Sequence, residues 1–392
     1  MKIGICLFGI LIMFGSDVAR ANYFPSGLNS TFDFSMETPF DEYVKATRKM
    51  VEKARVDLND TNRDRVVQAN TPFELIPKQR PIQNGILLIH GLSDSPYQMK
   101  DLATHFLSKG FLVRTILLPG HGTVPGDMLE VTWEAWAKAT EYGVHGFSGL
   151  VDNLYLGGFS TGGELAIYMC LKGYDIKGLF LFAPVTKIKT KTAWFSTTFA
   201  APDWLLKQDE KDFARYDSLA SNAVAQVYQL TVEVDRLIET KKNLVVPVFI
   251  ALSDDDITVS SEHTMALFHT LFSSDENKMV VYCSNPAKYQ PDPSGKVIFK
   301  DSRIPDDRIV SFSHLSIIVS PDDPHYGKKG DYVYSPHPWL KQNSNGISKD
   351  QIFYGELTGS LKKKHYMQRL AYNPYFNEMT GLIDQFLANI RN

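Results

Sequence analysis

Short, almost wholly apolar runs recur along this chain, and most are followed by a stretch whose apolar residues fall at helical spacing. The runs at 86–89, 111–118, 153–156, 178–183, 246–252 and 279–283 read as strands, and the stretches at 97–109, 132–147, 164–171 and 261–272 as helices. Strands apolar on both faces and separated by helices predict a mostly parallel sheet covered on both sides. Its functional groups are expected at the carboxyl ends of the strands.

Outside that core the pattern changes four times. Tyr43, Val44, Ala46, Met50 and Ala54 predict a leading helix from about 41 to 58, followed by a strand at 73–77. Between 185 and 245 the alternation stops. Trp194, Phe195, Phe199, Trp204, Leu205 and Leu206 are mixed there with charges, and a helix is predicted over 224–240, so this insertion is expected to form a lid. A proline-rich loop follows 283, and 308–312 is predicted as the last strand, ending at Ser313 and His314. From 321 a polar, tail-like stretch runs to a final helix over 377–390.

The first residues are unlike the rest. Lys2, an apolar run over 3–14 and Ala19-Arg20-Ala21 make a positive, apolar and cleavable series, so 1–21 is expected to be a secretory signal peptide, with Asn22 the first residue of the mature chain. The apolar run falls short of the roughly 20 residues a spanning helix needs. The expected location is therefore the periplasm or the exterior. Residues 22–84 form an N-terminal decoration, and 85–392 the main domain. Past the signal, Cys170 and Cys283 lie in a helix-like and a strand-like run, where free, buried thiols are expected.

A chain of 392 residues, 44% hydrophobic and 22% charged with a formal charge of −3, can bury a large core. The near balance of charge, with no basic block beyond Lys362-Lys363-Lys364, argues against a nucleic-acid partner. No Cys/His cluster has zinc spacing.

The chemistry is concentrated in Gly158-Phe159-Ser160-Thr161-Gly162, a G-x-S-x-G sequence between a predicted strand and a predicted helix. Alone, such a pentapeptide turns up by chance in about one chain of this length in ten. It gains weight from its partners. A neutral serine hydroxyl needs a base, and the base an acid to orient it. Asp254, Asp255 and Asp256 follow one predicted strand and His314 another, so all three roles fall on one edge of the sheet. His325 is the rival base, without a strand before it. The three-acid run lacks patterned partners for a metal.

With Leu88-Ile89-His90-Gly91-Leu92 and Leu118-Pro119-Gly120-His121-Gly122, these motifs resemble the α/β-hydrolase superfamily. The resemblance is to bacterial carboxylesterases and monoacylglycerol-lipase-like enzymes of the serine aminopeptidase type, over roughly 85–392. It implies an α/β-hydrolase fold with an inserted lid, no cofactor and no metal. It implies catalytic Ser160, Asp256 and His314, with the backbone amides of Leu92 and Thr161 as oxyanion donors. Asp254 with Ile257 also fits the family's acid pattern, but Asp256 has Ser253 three residues before it, where the family has a small residue. His90 and His121 take structural roles.

The expected activity is hydrolysis of carboxylic esters through an acyl-enzyme, on uncharged short or medium acyl esters, monoglycerides or lysolipids. Two rivals stand beside it. A proline-type aminopeptidase would hold a substrate amine with Asp203, Asp209, Glu210 or Asp212. A non-catalytic binding protein on the same fold would have lost a triad member.

Overall fold

The computed structural model describes residues 21–189, 201–332 and 348–390. The expected signal peptide and the aromatics Trp194, Phe195 and Phe199 lie outside the described residues. Two helices lead in, α1 (Phe40–Ala54) and α2 (Arg63–Ala69), the first starting close to where the periodicity begins. The central sheet then forms from β1 (Glu74–Leu75), β2 (Asn84–Ile89), β3 (Leu112–Thr115), β4 (Asn153–Phe159) and β5 (Gly178–Phe182). Three later strands complete it. These are β8 (Val248–Ser253), β9 (Lys278–Cys283) and β10 (Val297–Asp301), since β6 (Trp204–Leu206) and β7 (Leu219–Ala220) belong to the lid.

The spatial order is β1-β3-β2-β4-β5-β8-β9-β10, and only the β1–β3 pairing is antiparallel. Every other pair is parallel, as the continuous apolar runs require. Helices α3 (Lys100–Ser108), α4 (Trp133–His145), α5 (Thr161–Lys172), α7 (Ser261–Thr270) and α8 (Phe376–Ile390) flank the sheet. This is the α/β-hydrolase architecture. Two cores result, one on each face, with alternate residues of one strand serving opposite faces. Leu87 and Ile89 go to one, and Ile86 and Leu88 to the other.

The last strand differs from expectation. Residues 308–312 make only isolated bridges, between Ile304 and Ile309 and between Ile309 and Tyr354, while β10 at 297–301 occupies the sheet edge. The sequence predicts a strand at 308–312, and Ile309 and Phe312 are indeed buried. They are buried beneath a later segment rather than by joining the sheet.

The stretch from 321, read as tail-like, is structured where described. Strands β11 (Ile352–Gly355) and β12 (Tyr366–Arg369) form a separate parallel pair. Residues 321–332 fold into turns that bury Asp323, His325 and Tyr326.

The insertion contains β6 (Trp204–Leu206), β7 (Leu219–Ala220) and the long α6 (Ser221–Lys241). The side-chain amide of Asn222 donates to the carbonyls of Met128 (3.0 Å) and Val131 (2.9 Å), and Gln226 accepts from the Trp133 amide at 2.9 Å. Its base is pinned from the other side. Asp212 accepts from His325 Nε2 at 3.1 Å and from the Tyr326 hydroxyl at 2.8 Å. Cys170 and Cys283 are both free and buried, Cys170 in α5 and Cys283 in β9. Among the described residues, no helix is long and apolar enough to cross a membrane.

Phe180 of β5 sits where α3, β8 and α8 converge. Its ring is 4.9 Å from Phe106 and 5.5 Å from Phe386 by centroid, and none of it is exposed. Phe180→Ala is expected to cost about 3–5 kcal/mol of stability, measured by denaturant unfolding. A loss below about 1 kcal/mol would show that this face collapses to fill the space.

Candidate functional site

Ser160 stands between β4 and α5 with φ +53° and ψ −116°, a conformation L residues rarely hold. The turn is that tight because its flanks nearly touch. A Cβ on Gly158 would lie 2.2 Å from the backbone of Gly162, and one on Gly162 would lie 2.1 Å from the carbonyl oxygen of Ile89. Glycine is the one residue that lets strand, helix and the neighbouring β2 meet there. The Ser160 amide donates to Phe182 O at 2.9 Å, which ties the turn to β5.

The Ser160 hydroxyl donates to His314 Nε2 at 3.0 Å, and His314 Nδ1–H donates to Asp256 Oδ2 at 2.6 Å. That chain of bonds selects the tautomer that leaves Nε2 free to accept. The other oxygen of Asp256 accepts from the amides of Thr258 (2.7 Å) and Val259 (3.1 Å). Burial alone would raise the Asp256 pKa. The His314 ring and the two amides overcome it and hold the carboxyl below its ordinary value.

The three neighbouring aspartates separate by direction. Asp255 turns to Ser284, accepting from its hydroxyl at 2.6 Å and its amide at 2.9 Å, and Asp254 faces Lys288 at 3.3 Å. Only Asp256, among the three, meets His314. Ser253 links the two loops, because its hydroxyl donates to Phe312 O at 2.9 Å.

His325 lies elsewhere, between Asp212 and Asp331. Burial pushes its pKa down, but the two carboxylates outweigh it and leave the value raised. His90 and His121 are fully buried beside one another, their rings 4.8 Å apart. His90 Nε2 accepts from the Leu118 amide at 3.1 Å, and His121 Nδ1 donates toward the carbonyls of Leu118 and Pro119. Burial lowers both, His121 to about 4, so both are neutral structural groups.

Leu92 and Thr161 both line the cavity that contains Ser160 and His314. Thr161 is the first residue of α5, so its amide is one of the donors a helix start leaves without an internal partner, and the helix dipole favours negative charge there. The loop carrying Leu92 is braced, since Ser93 O accepts from the Tyr216 amide at 2.8 Å. The cavity measures about 480 Å³. A second space of about 360 Å³, between the leading segment and α1, contains no nucleophile paired with a base.

Four residues around the site carry no signal that sequence reasoning used. Glu356, just after β11, is fully buried and accepts from the His314 amide at 3.1 Å. Arg369 of β12 pairs with it at 3.5 Å and lines the cavity. Asp94 and Arg215 line it too. Only Asp94, two residues past the candidate oxyanion donor Leu92, could have been suspected from position. Of the lid aromatics, Trp204 packs edge-on against Tyr23 at 5.5 Å, while its neighbours Leu205 and Leu206 face the cavity.

Asp94 generates a test with a defined sign. Burial pushes its pKa from 3.8 up to about 6, against the opposing charges of Arg215 and His314. A carboxyl raised on folding costs stability as pH climbs from its unfolded to its folded value, here between about 4 and 6, and the cost persists above. At about 1.4 kcal/mol per pKa unit, Asp94→Asn is expected to stabilise the protein by about 3 kcal/mol at pH 8 and by little at pH 3.5. Unfolding curves at the two pH values check this. Equal effects at both would remove the carboxyl's charge as the cause.

The geometry can be set beside known proteins. The sequence pattern of the family described as serine aminopeptidase, S33, matches residues 80–283, which include Ser160 and Asp256 but end before His314. The chain is 25% identical over 198 residues to a thermostable monoacylglycerol lipase of Bacillus sp. (strain H-257), covering 49% of this chain and 78% of that one. Two solved structures are similar at lower identity. One is a metagenome-derived lipolytic enzyme (20% identity, 54% of this chain and 86% of the other, TM-score 0.48). The other is a monoacylglycerol lipase of Paleococcus ferrophilus (18% identity, 54% and 88%, TM-score 0.45). Because the family pattern spans more than half of the chain, this protein belongs to the serine aminopeptidase S33 family of α/β-hydrolases.

Proposed function

We propose that the protein is an exported serine hydrolase that cleaves carboxylic esters through an acyl-enzyme. The observation that carries this reading is the hydrogen-bonded series Ser160–His314–Asp256 opening into a cavity with a largely apolar lining. The monoacylglycerol lipase activity of the Bacillus relative supports the ester as the bond cleaved.

In the proposed cycle the Ser160 hydroxyl attacks the ester carbonyl carbon while His314 Nε2 takes its proton. The tetrahedral oxyanion is met by the amides of Leu92 and Thr161. Collapse expels the alcohol, which takes the proton back from His314 and leaves an ester on Ser160. Water, deprotonated by the same nitrogen, then attacks that ester, and the carboxylic acid departs as Ser160 regains its proton. Asp256 holds the imidazole in the tautomer that can accept at Nε2 and stabilises the imidazolium.

The aminopeptidase alternative needs an acid in the cavity to hold a substrate amine. Of the four lid acids suggested for that task, none lines the cavity. Asp212 is taken up by His325 and Tyr326, and Glu210 by the amides of Asp217 and Ser218. A binding protein without chemistry is disfavoured because it has no use for a serine held at positive φ against a histidine. Export rests on the charge and apolar pattern of the first 21 residues.

Hydrolysis of p-nitrophenyl esters from acetate to palmitate tests the reading. Ser160→Ala and His314→Ala are expected to lower kcat by a factor of about 1,000 or more, and Asp256→Asn by about 100 or more. Unaltered turnover by Ser160→Ala would end the proposal. Mass spectrometry of protein recovered from outside the cytoplasm is expected to find an N-terminus at Asn22; an intact Met1 there would refute cleavage.

A further inference from the structure

The cavity lining is of two kinds. Val224, Val227, Leu205 and Leu206 give it apolar surface, whereas Asp94, Arg215 and Arg369 bring charge beside the candidate nucleophile. Arg215 is the unusual member. Its Nε is buried without a hydrogen-bond partner, and among the described residues it has no ion pair within 4.0 Å. Two other enclosed guanidiniums among the described residues are paired. Arg114 meets Glu74 at 2.7 Å, and Arg55 meets Asp57 at 2.6 Å.

Two carboxylates are near enough to influence Arg215 without touching it. Asp212 is held by His325, Tyr326 and the Ala214 amide. Asp94 is turned toward the oxyanion loop, where a Cβ on Gly91 would sit 2.9 Å from its Oδ2, and its Oδ1 is buried without a hydrogen bond. Burial works against the Arg215 charge, but the surrounding phenol and carboxyl oxygens keep it cationic. A planar, permanently charged donor fork therefore faces the reaction cavity with its bidentate capacity unused. Arg369 adds to this, since its Nε is also buried without a hydrogen bond, at 3.5 Å from Glu356.

We infer that Arg215, assisted by Arg369, is an anion subsite of the active-site cavity, so that the ester carries a carboxylate or phosphate at the end held there and its apolar part against α6 and β6. Recognition of a planar carboxylate or a phosphate by a guanidinium fork is bidentate and gains strength in an enclosed, low-dielectric space. The subsite amends the expectation of an uncharged substrate drawn from net charge, because a balanced total says nothing of two cations gathered at one cavity. It deepens the ester-hydrolase reading and rests on it.

Four esters test the assignment: methyl hexanoate against monomethyl adipate, and monohexanoylglycerol against its 3-phosphate. The expected result is a kcat/KM at least tenfold higher for one charged ester than for its neutral mate, carried mainly by KM. A preference for the adipate ester identifies a carboxylate on the acyl side, and one for the phosphate an anionic alcohol. Arg215→Gln is expected to bring the ratio to one or below, and Arg215→Lys to retain part of it. If the wild-type protein cleaves all four without preferring either charged member, the subsite is overturned while the hydrolase reading stands.

Hydrolysis of none of the four would instead fail the hydrolase reading. Calorimetry of adipate and of glycerol 3-phosphate with full-length Ser160→Ala protein then decides the subsite by itself. Binding weakened in the Ser160→Ala/Arg215→Lys double variant supports it, and absence of binding, or binding unchanged in that variant, overturns it. Wild-type selectivity and the lysine variant keep the test decisive should Arg215→Gln fail to fold.

Discussion

Everything at this site depends on how closely three backbones approach at Ser160. With Gly158, Gly162 and the end of β2 in near contact, no standard turn fits, and the serine is forced to φ +53°. That strain starts α5 immediately behind the serine, so the candidate nucleophile and the amide proposed to meet the oxyanion come from consecutive residues. The cost is borne by the surrounding parallel sheet, whose strands are buried on both faces.

The histidine side is built differently. His314 is not carried at the end of a sheet strand but on a 3₁₀ turn after a segment that only bridges locally. Its position is fixed by long-range bonds. Asp256 takes the ring, Glu356 takes the backbone amide, Ser253 ties the preceding carbonyl, and Phe159 lies 5.0 Å from the ring by centroid. The segment after 321 thus contributes twice. Glu356 and Arg369 buttress the base, and His325 and Tyr326 fasten the foot of the lid.

The central strands and the residues that meet at Ser160 were legible in the sequence, because apolar periodicity and glycine spacing are local signals. Asp256 was distinguishable from Asp254 only by the position of Ser253, and the structure gives the reason that serine matters, in its bond to Phe312 O. The exchange of 308–312 for 297–301 as the last strand was not legible. Both segments carry apolar residues, and which one reaches the sheet edge depends on β9 and on the covering strand β11. Glu356, Arg215 and Arg369 were invisible for a related reason. A single charged residue acquires meaning only from what the fold sets against it, and two of the three come from regions that showed no pattern at all.

The pinned foot of the lid has a consequence for traffic. With Asp212 fastened to the 321–332 turns, the Tyr216 amide bonded to the loop of Leu92, and Asn222 bonded to the body, the described part of the insertion is anchored at three points, and swinging it away as one piece would break all of them. Leu205, Leu206 and Ile257 are exposed and also line the cavity, so apolar side chains connect solvent with the site. Apolar surface at that rim favours the apolar part of an arriving molecule over water, whatever bond it carries. The rim therefore acts on a visitor before the chemistry meets it.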